Sequence, residues 1–215
     1  MAHAKICGIN DPAAFDAAVT AGASHVGFVF FPPSPRFVTP AVAASLSVRH
    51  PGGPPRVGLF VNPTEAEIAA ALAALPLDVL QIYASADAVR AMRARFGVKV
   101  WQTVGVAAPD DLPADASGID GLLIEAKAPP GATRPGGNAR PFDWSVLAGW
   151  RAPAPWVLAG GLTPENVAAA VRMTGAETVD VSSGVERAPG VKDPALIRAF
   201  IAAARGNQNG IARRA

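Results

Sequence analysis

The chain has 215 residues, is 50% hydrophobic and 17% charged, and carries a formal net charge of +2. Such a chain buries enough core for a single domain, and its only basic run, Arg213-Arg214, argues against a nucleic-acid partner. It has no stretch of about 18 uncharged apolar residues to span a membrane, and its single cysteine excludes an intramolecular disulfide and a multi-cysteine metal cluster. A cytoplasmic protein with no membrane partner is expected.

Short β-branched apolar runs alternate along the chain with alanine-rich segments of helical spacing. In chain order the strands are predicted at 5–7, 25–31, 56–61, 79–83, 98–104, 121–124, 156–159 and 178–182. Helices are predicted at 11–21, 40–49, 64–74, 86–96, 142–149, 164–174 and 193–205, with an irregular turn near 109–116. Asp11-Pro12, Asn62-Pro63-Thr64, Thr163-Pro164-Glu165 and Asp193-Pro194 each set a capping side chain at or beside a proline suited to a first turn. Eight strand–helix units at this length predict a closed (β/α)8 TIM barrel over 1–205, with a short polar tail, 206–215, that is expected to fray. No dinucleotide fingerprint follows the first strand, which weighs against an open nucleotide-binding sheet. Two insertions interrupt the repeat, 51–55 before a strand and 128–141 after one, so the second falls at the catalytic rim.

In such a barrel the strands' C-terminal ends meet at one rim. Cys7-Gly8 follows the first strand, Ser34-Pro35-Arg36 the second, Glu125 the sixth, Gly160-Gly161 the seventh and Ser182-Ser183-Gly184 the eighth. Cys7 is placed to act as a base or nucleophile, and a buried filler thiol fits the same position. The glycines after strands seven and eight suit tight turns or an anion site built from backbone N–H groups, and their pairing on adjacent strands favours the anion site. His25 begins a strand at the opposite rim, His3 and His50 have no partners at metal-ligand spacing, Asp143 reads as a helix cap, and Trp101, Trp144, Trp150 and Trp156 read as packing.

Lys5-Ile6-Cys7-Gly8-Ile9, Gly27-Phe28-Val29-Phe30 leading to Ser34-Pro35-Arg36, Val57-Gly58-Leu59-Phe60-Val61 and Phe142-Asp143-Trp144 occur in that order. They are followed by Leu158-Ala159-Gly160-Gly161-Leu162 with Pro164-Glu165-Asn166-Val167, and by Val181-Ser182-Ser183-Gly184-Val185-Glu186 with Pro189-Gly190 and Lys192-Asp193. Together these segments resemble the phosphoribosylanthranilate isomerase family over nearly the whole chain. The resemblance implies a (β/α)8 barrel that isomerises N-(5-phosphoribosyl)anthranilate to the carboxyphenylamino deoxyribulose phosphate in tryptophan biosynthesis, with no metal or organic cofactor. It makes Cys7 the base and Glu125 the acid of an Amadori rearrangement. Arg36 is the implied fork for the substrate carboxylate. Phosphate contacts fall to Gly160, Gly161, Ser182, Ser183 and Gly184, with Gly136-Gly137-Asn138 as a further segment of the same loop rim.

Two positions depart from the family pattern. Glu125 stands where the acid is usually aspartate, and Tyr83-Ala84 stands where histidine then glycine is more common. Tyr83 can present a hydroxyl to the site or fill the barrel mouth. Strand alternation puts Lys5 on the same side as Cys7, and Asp180 on the adjacent eighth strand is the expected ion-pair partner that keeps Lys5 from being an isolated buried charge. Alternative readings are a sugar-phosphate isomerase of the histidine branch, which Cys7 opposes, and a phosphate-binding barrel without chemistry, which Glu125 motivates. The expected partner is a small phosphosugar, and the sequence fits a monomer or a homodimer.

Overall fold

Lys5 faces Asp180 across the seam where the first and last strands of the sheet meet, and this pairing closes a barrel. The structure is a computed structural model, and it describes residues 1–129, 131, 136 and 143–206. The barrel strands are β1 (His3–Cys7), β2 (His25–Val29), β3 (Arg56–Val61), β4 (Val79–Tyr83), β5 (Lys99–Val106), β6 (Gly121–Ala126), β7 (Trp156–Leu158) and β8 (Thr178–Val181). All are parallel, and each pairs with its sequence neighbours. Outside lie α1 (Pro12–Ala21), α2 (Pro40–Ser47), α3 (Glu65–Ala74), α4 (Ala86–Phe96), α5 (Val167–Thr174) and α6 (Pro194–Ala204). The (β/α)8 architecture expected from the sequence is therefore present.

Alternation along the strands separates two interiors. Ile6, Leu80, Ile82, Leu122 and Val179 point outward and pack with Phe15, Ile68, Val89 and Phe200 of the helices, all with 0% exposure. Each such large side chain contributes about 1.5–3 kcal/mol of burial energy, which makes this layer the main source of stability. Their strand neighbours fill the barrel itself. Cys7, Val29 and Leu59 form one interior group, and Leu123, Val157 and Ala159 form another. Buried polar side chains share this inner space: Lys5, Gln81, Thr103, Glu125 and Asp180.

Local signals set most element starts. Asp11 accepts from the Ala14 N–H, Thr64 and Glu67 form a capping box, and Asp193 accepts from Ala195 and Leu196. Several element ends shift by a residue or two, and three differences are larger or bear on the site. The segment predicted as a helix over 142–149 contains the 3-10 turn Trp144–Leu147, because Asp143 caps it at one end and Gly149, at φ +77, ends it about one turn later. The helix predicted from 164 starts at Val167, since Asn166 turns back to accept from the Thr163 N–H and donate to the Gly161 carbonyl. β6 runs past 124 to Ala126, so Glu125 sits on the strand rather than after it. A small hairpin, β9 (Glu186–Ala188) and β10 (Val191–Lys192), was not expected, because its short charged segments carry no apolar alternation. Gly137, Asn138, Phe142 and residues 207–215 lie outside the described residues, as does most of the 128–141 insertion.

Candidate active site

The strand ends converge on one pocket. Cys7, Arg36, Tyr83, Glu125, Gly160, Gly161, Asp180, Ser182 and Ser183 all line it, together with Gln81 and Gly136. Two expected residues are not on its wall. Lys5 lies in the layer beneath Cys7, and Gly184 packs where a Cβ would strike the Leu162 carbonyl oxygen.

Cys7 is 3% exposed at the end of β1. Its neighbour across the sheet is Gly27, and this glycine is what gives the thiol and the Lys5 ammonium room on the same side. A Cβ on Gly27 would lie 3.0 Å from Cys7 Sγ and 3.3 Å from Lys5 Nζ. Lys5 is fully buried and donates to Asp180 Oδ1 at 2.7 Å, the pairing expected from strand alternation. Burial pushes the Cys7 thiol above its ordinary pKa, with Lys5 and Lys192 opposing the rise. The cation beneath Cys7 thus moderates the cost of forming a thiolate without reversing it. Burial is the strongest single influence against the Lys5 charge, but Asp180 and Cys7 together outweigh it, so Lys5 remains an ammonium with a raised pKa.

Glu125 faces the same space from β6 and is 6% exposed. Desolvation lifts its carboxyl to about 8, with the Tyr83 hydroxyl pulling the other way. At neutral pH it therefore holds a proton ready to donate. Among the described residues Oε1 has no hydrogen-bond partner, which leaves it open to a ligand. Tyr83 closes over this carboxyl, and burial followed by the Glu125 charge raises its phenol well above 10.0. Gly136 covers both: a Cβ there would collide with Tyr83 Oη and the Glu125 carboxylate oxygens. Gln81 lies deeper, donating to Thr103 Oγ1 at 3.2 Å.

Arg36 is 5% exposed and does not point into the pocket unaccompanied. It grips Glu186 through Nε–Oε1 at 2.6 Å and Nη2–Oε2 at 2.9 Å. Lys192 Nζ donates to the same Glu186 Oε1 at 2.8 Å and to the Ser182 carbonyl at 2.9 Å. Ser182 Oγ in turn donates to the Cys7 carbonyl at 3.2 Å. Burial pushes the Glu186 carboxyl up, but Arg36 and Lys192 together hold it below the ordinary value. Sequence reading did not assign Glu186 or Lys192 to the site. Both stand in the stretch that follows the eighth strand, yet Glu186 lies 150 residues from Arg36, a pairing that only barrel closure reveals.

The loops after β7 and β8 complete the rim. Gly160 and Gly161 adopt φ +86 and +64, a region that favours glycine, and their N–H groups take no part in the backbone hydrogen bonds found among the described residues. Ser183 and Gly184 follow on the adjacent loop in a single 3-10 turn, Ser183–Val185. This is a concave set of donors of the kind that holds a phosphate.

A family profile described as N-(5'-phosphoribosyl)anthranilate (PRA) isomerase matches residues 4–203. The chain belongs to the phosphoribosylanthranilate isomerase family. The N-(5'-phosphoribosyl)anthranilate isomerase of Acidiphilium cryptum is 63% identical over 204 residues, covering 95% of this chain and 98% of the relative. Among solved structures of phosphoribosylanthranilate isomerases, generated monomers of the dimeric Thermotoga maritima enzyme superpose with a TM-score of 0.81 at 34% identity, covering 96% of this chain and 100% of that one. Another such isomerase, in complex with reduced 1-(o-carboxyphenylamino)-1-deoxyribulose 5-phosphate, gives a TM-score of 0.80 at 33% identity over 96% and 100% of the two chains. In this member of the phosphoribosylanthranilate isomerase family, the Tyr83 hydroxyl lies against the Glu125 carboxyl.

Proposed function

We propose that this chain isomerises N-(5'-phosphoribosyl)anthranilate to 1-(2-carboxyphenylamino)-1-deoxyribulose 5-phosphate, with Glu125 as general acid and Cys7 as general base. The observation that carries this reading is the pair of them on one pocket wall, a carboxyl kept protonated at neutral pH and a thiol seated beside an ammonium.

The chemistry follows from those two groups. Glu125 donates its proton to the ribose ring oxygen while the C1–O bond breaks, and the anilino nitrogen lone pair forms a C1=N iminium. The Cys7 thiolate then takes the C2 proton, and the C2–H electrons form the C1=C2 bond as the nitrogen recovers its lone pair. The resulting enol shifts its hydroxyl proton and gains one at C1 to give the ketone, so no oxidant or co-reactant is needed. Burial supports the first step by keeping Glu125 protonated, and in the second Lys5 and Lys192 offset part of what burial costs the Cys7 thiolate.

Arg36 receives the anthranilate carboxylate, and Gly160, Gly161, Ser182 and Ser183, which line the pocket, receive the phosphate. Lys5 and Asp180 support Cys7, and Tyr83 supports Glu125. The chain acts on this phosphosugar in the cytoplasm as a monomer or homodimer, which light scattering on the purified protein distinguishes. Turnover is tested by following the loss of phosphoribosylanthranilate fluorescence, and by rescue of a tryptophan auxotroph lacking this isomerase. An inactive wild-type protein that still binds the reduced product analogue would leave a phosphate-binding barrel instead.

A further inference from the structure

The guanidinium of Arg36 is spoken for along one side. Its Nε and Nη2 face the Glu186 carboxylate, whose remaining acceptor positions take Lys192 Nζ at 2.8 Å and the Gly190 N–H at 3.2 Å. With donors on both oxygens and a side chain only 4% exposed, Glu186 is fixed rather than free to swing toward a ligand. Two glycines let the chain close around this pair. A Cβ on Gly8, at φ +75, would sit 2.6 Å from Arg36 Cδ, and a Cβ on Gly190, at φ +79, would strike the Pro35 carbonyl oxygen. The arginine stem is therefore clamped from below while its head is clamped from the side. Two cations against one carboxylate leave this cluster one unit of positive charge for an anionic ligand group.

We propose that Glu186 is a positioning residue: by occupying the Nε/Nη2 edge of Arg36, it turns the Nη1/Nη2 edge to the pocket as the one that receives the substrate's aromatic carboxylate. Lys192 completes the device, since it balances Glu186 and ties it through Ser182 to the backbone of Cys7. A guanidinium so held loses little rotational freedom on binding, which raises affinity without a new contact to the ligand. The role of Glu186 rests on the assignment of Arg36 to the carboxylate made above. It is separable from the chemistry, because the carboxylate lies away from the reacting sugar carbons.

The test is steady-state kinetics of Glu186→Gln, Arg36→Met and the double variant, with inhibition by ribulose 5-phosphate as a probe that lacks the carboxyphenyl group. Glu186→Gln is expected to raise KM about tenfold with kcat changed by less than about threefold, the signature of lost uniform binding. Ribulose 5-phosphate affinity should stay unchanged, and in the Arg36→Met background the glutamine should add nothing further. A wild-type KM in Glu186→Gln, an additive loss on top of Arg36→Met, or an equal weakening of ribulose 5-phosphate would each overturn the role. If Glu186→Gln does not fold, Glu186→Asp keeps the charge but draws it back, and the same comparison decides on that variant: a raised KM at normal kcat supports the role and a wild-type KM removes it. Wild-type turnover is the separate control, since its absence sinks the function itself, whereas the other outcomes sink only the role of Glu186.

Discussion

Lys5 Nζ lies 2.7 Å from Asp180 Oδ1 at facing positions of β1 and β8, inside the barrel and one layer below Cys7. Each charge is buried, so each depends on the other: removing one partner leaves the second uncompensated in a dry interior. Lys5→Met is expected to cost about 3–5 kcal/mol in urea denaturation, and Lys5→Met combined with Asp180→Leu to recover much of that loss. The single variant should also move the Cys7 titration, read as thiolate absorbance, to higher pH, because the nearby cation opposes the effect of burial. An unmoved titration would leave Lys5 a purely structural role.

Gly27 is the hinge of the same arrangement. Its missing Cβ leaves space that a methyl group could enter only by coming within 3.0 Å of Cys7 Sγ and 3.3 Å of Lys5 Nζ. Gly27→Ala should therefore displace the thiol and lower kcat by about a hundredfold, with stability reduced by only about 1–3 kcal/mol. Comparable kcat in this variant would show that the thiol position is not critical.

Glu125 makes stability depend on pH in a particular direction. Burial holds its carboxyl at about 8 in the folded chain, while a free glutamate titrates near about 4.3. The folded state thus keeps a proton that the unfolded state releases, and its advantage is fully present below about pH 4.3 and is lost as pH rises through about 8. Glu125→Gln carries no such titration. Denaturation at a series of pH values should show wild type losing ground to Glu125→Gln between those limits, by on the order of a few kcal/mol. In parallel, wild-type kcat/KM should fall above about pH 8 as the acid loses its proton. A constant difference between the two proteins across this range would mean that Glu125 is not a buried acid.

At the opposite face, Arg56 organises the 51–55 insertion. Its guanidinium donates to the carbonyls of Ser47, His50 and Pro54 and to Ser47 Oγ, and it lies 5.5 Å from the centre of the Phe15 ring. The His50 carbonyl also accepts from the Gly53 N–H at 3.0 Å and the Ser47 carbonyl from the His50 N–H at 3.4 Å, so losing the guanidinium strips part of the loop's hydrogen bonding and Arg56→Met is expected to cost about 1–3 kcal/mol in thermal or chemical denaturation. Because the loop lies at the barrel's far end, kcat and KM should stay at wild-type values. A change in KM would mean that the two ends of the barrel are coupled.

The barrel was legible because its signal is repeated: each apolar run and each capped, alanine-rich segment says the same thing about its neighbours. The Lys5–Asp180 pair was legible for a related reason, since period-two alternation and ring closure are enough to bring the two together. The Trp144–Leu147 turn was misread as a helix because spacing alone does not reveal that Gly149 stops it so soon. Glu186 and Lys192 were missed for a different reason. Their meaning depends on Arg36 crossing over Gly8 to reach a hairpin encoded far along the chain, and no local pattern records that approach.

The central claim is that one buried carboxyl and one buried thiol divide the proton transfers. The most direct test is single-turnover conversion of N-(5'-phosphoribosyl)anthranilate by wild type, Cys7→Ser, Glu125→Gln and Glu125→Asp, each verified as folded. Loss of about a thousandfold or more in Cys7→Ser and in Glu125→Gln, with Glu125→Asp retaining far more activity than the amide, is the predicted result. Wild-type rates in Glu125→Gln would contradict it, because the proton would then come from another group.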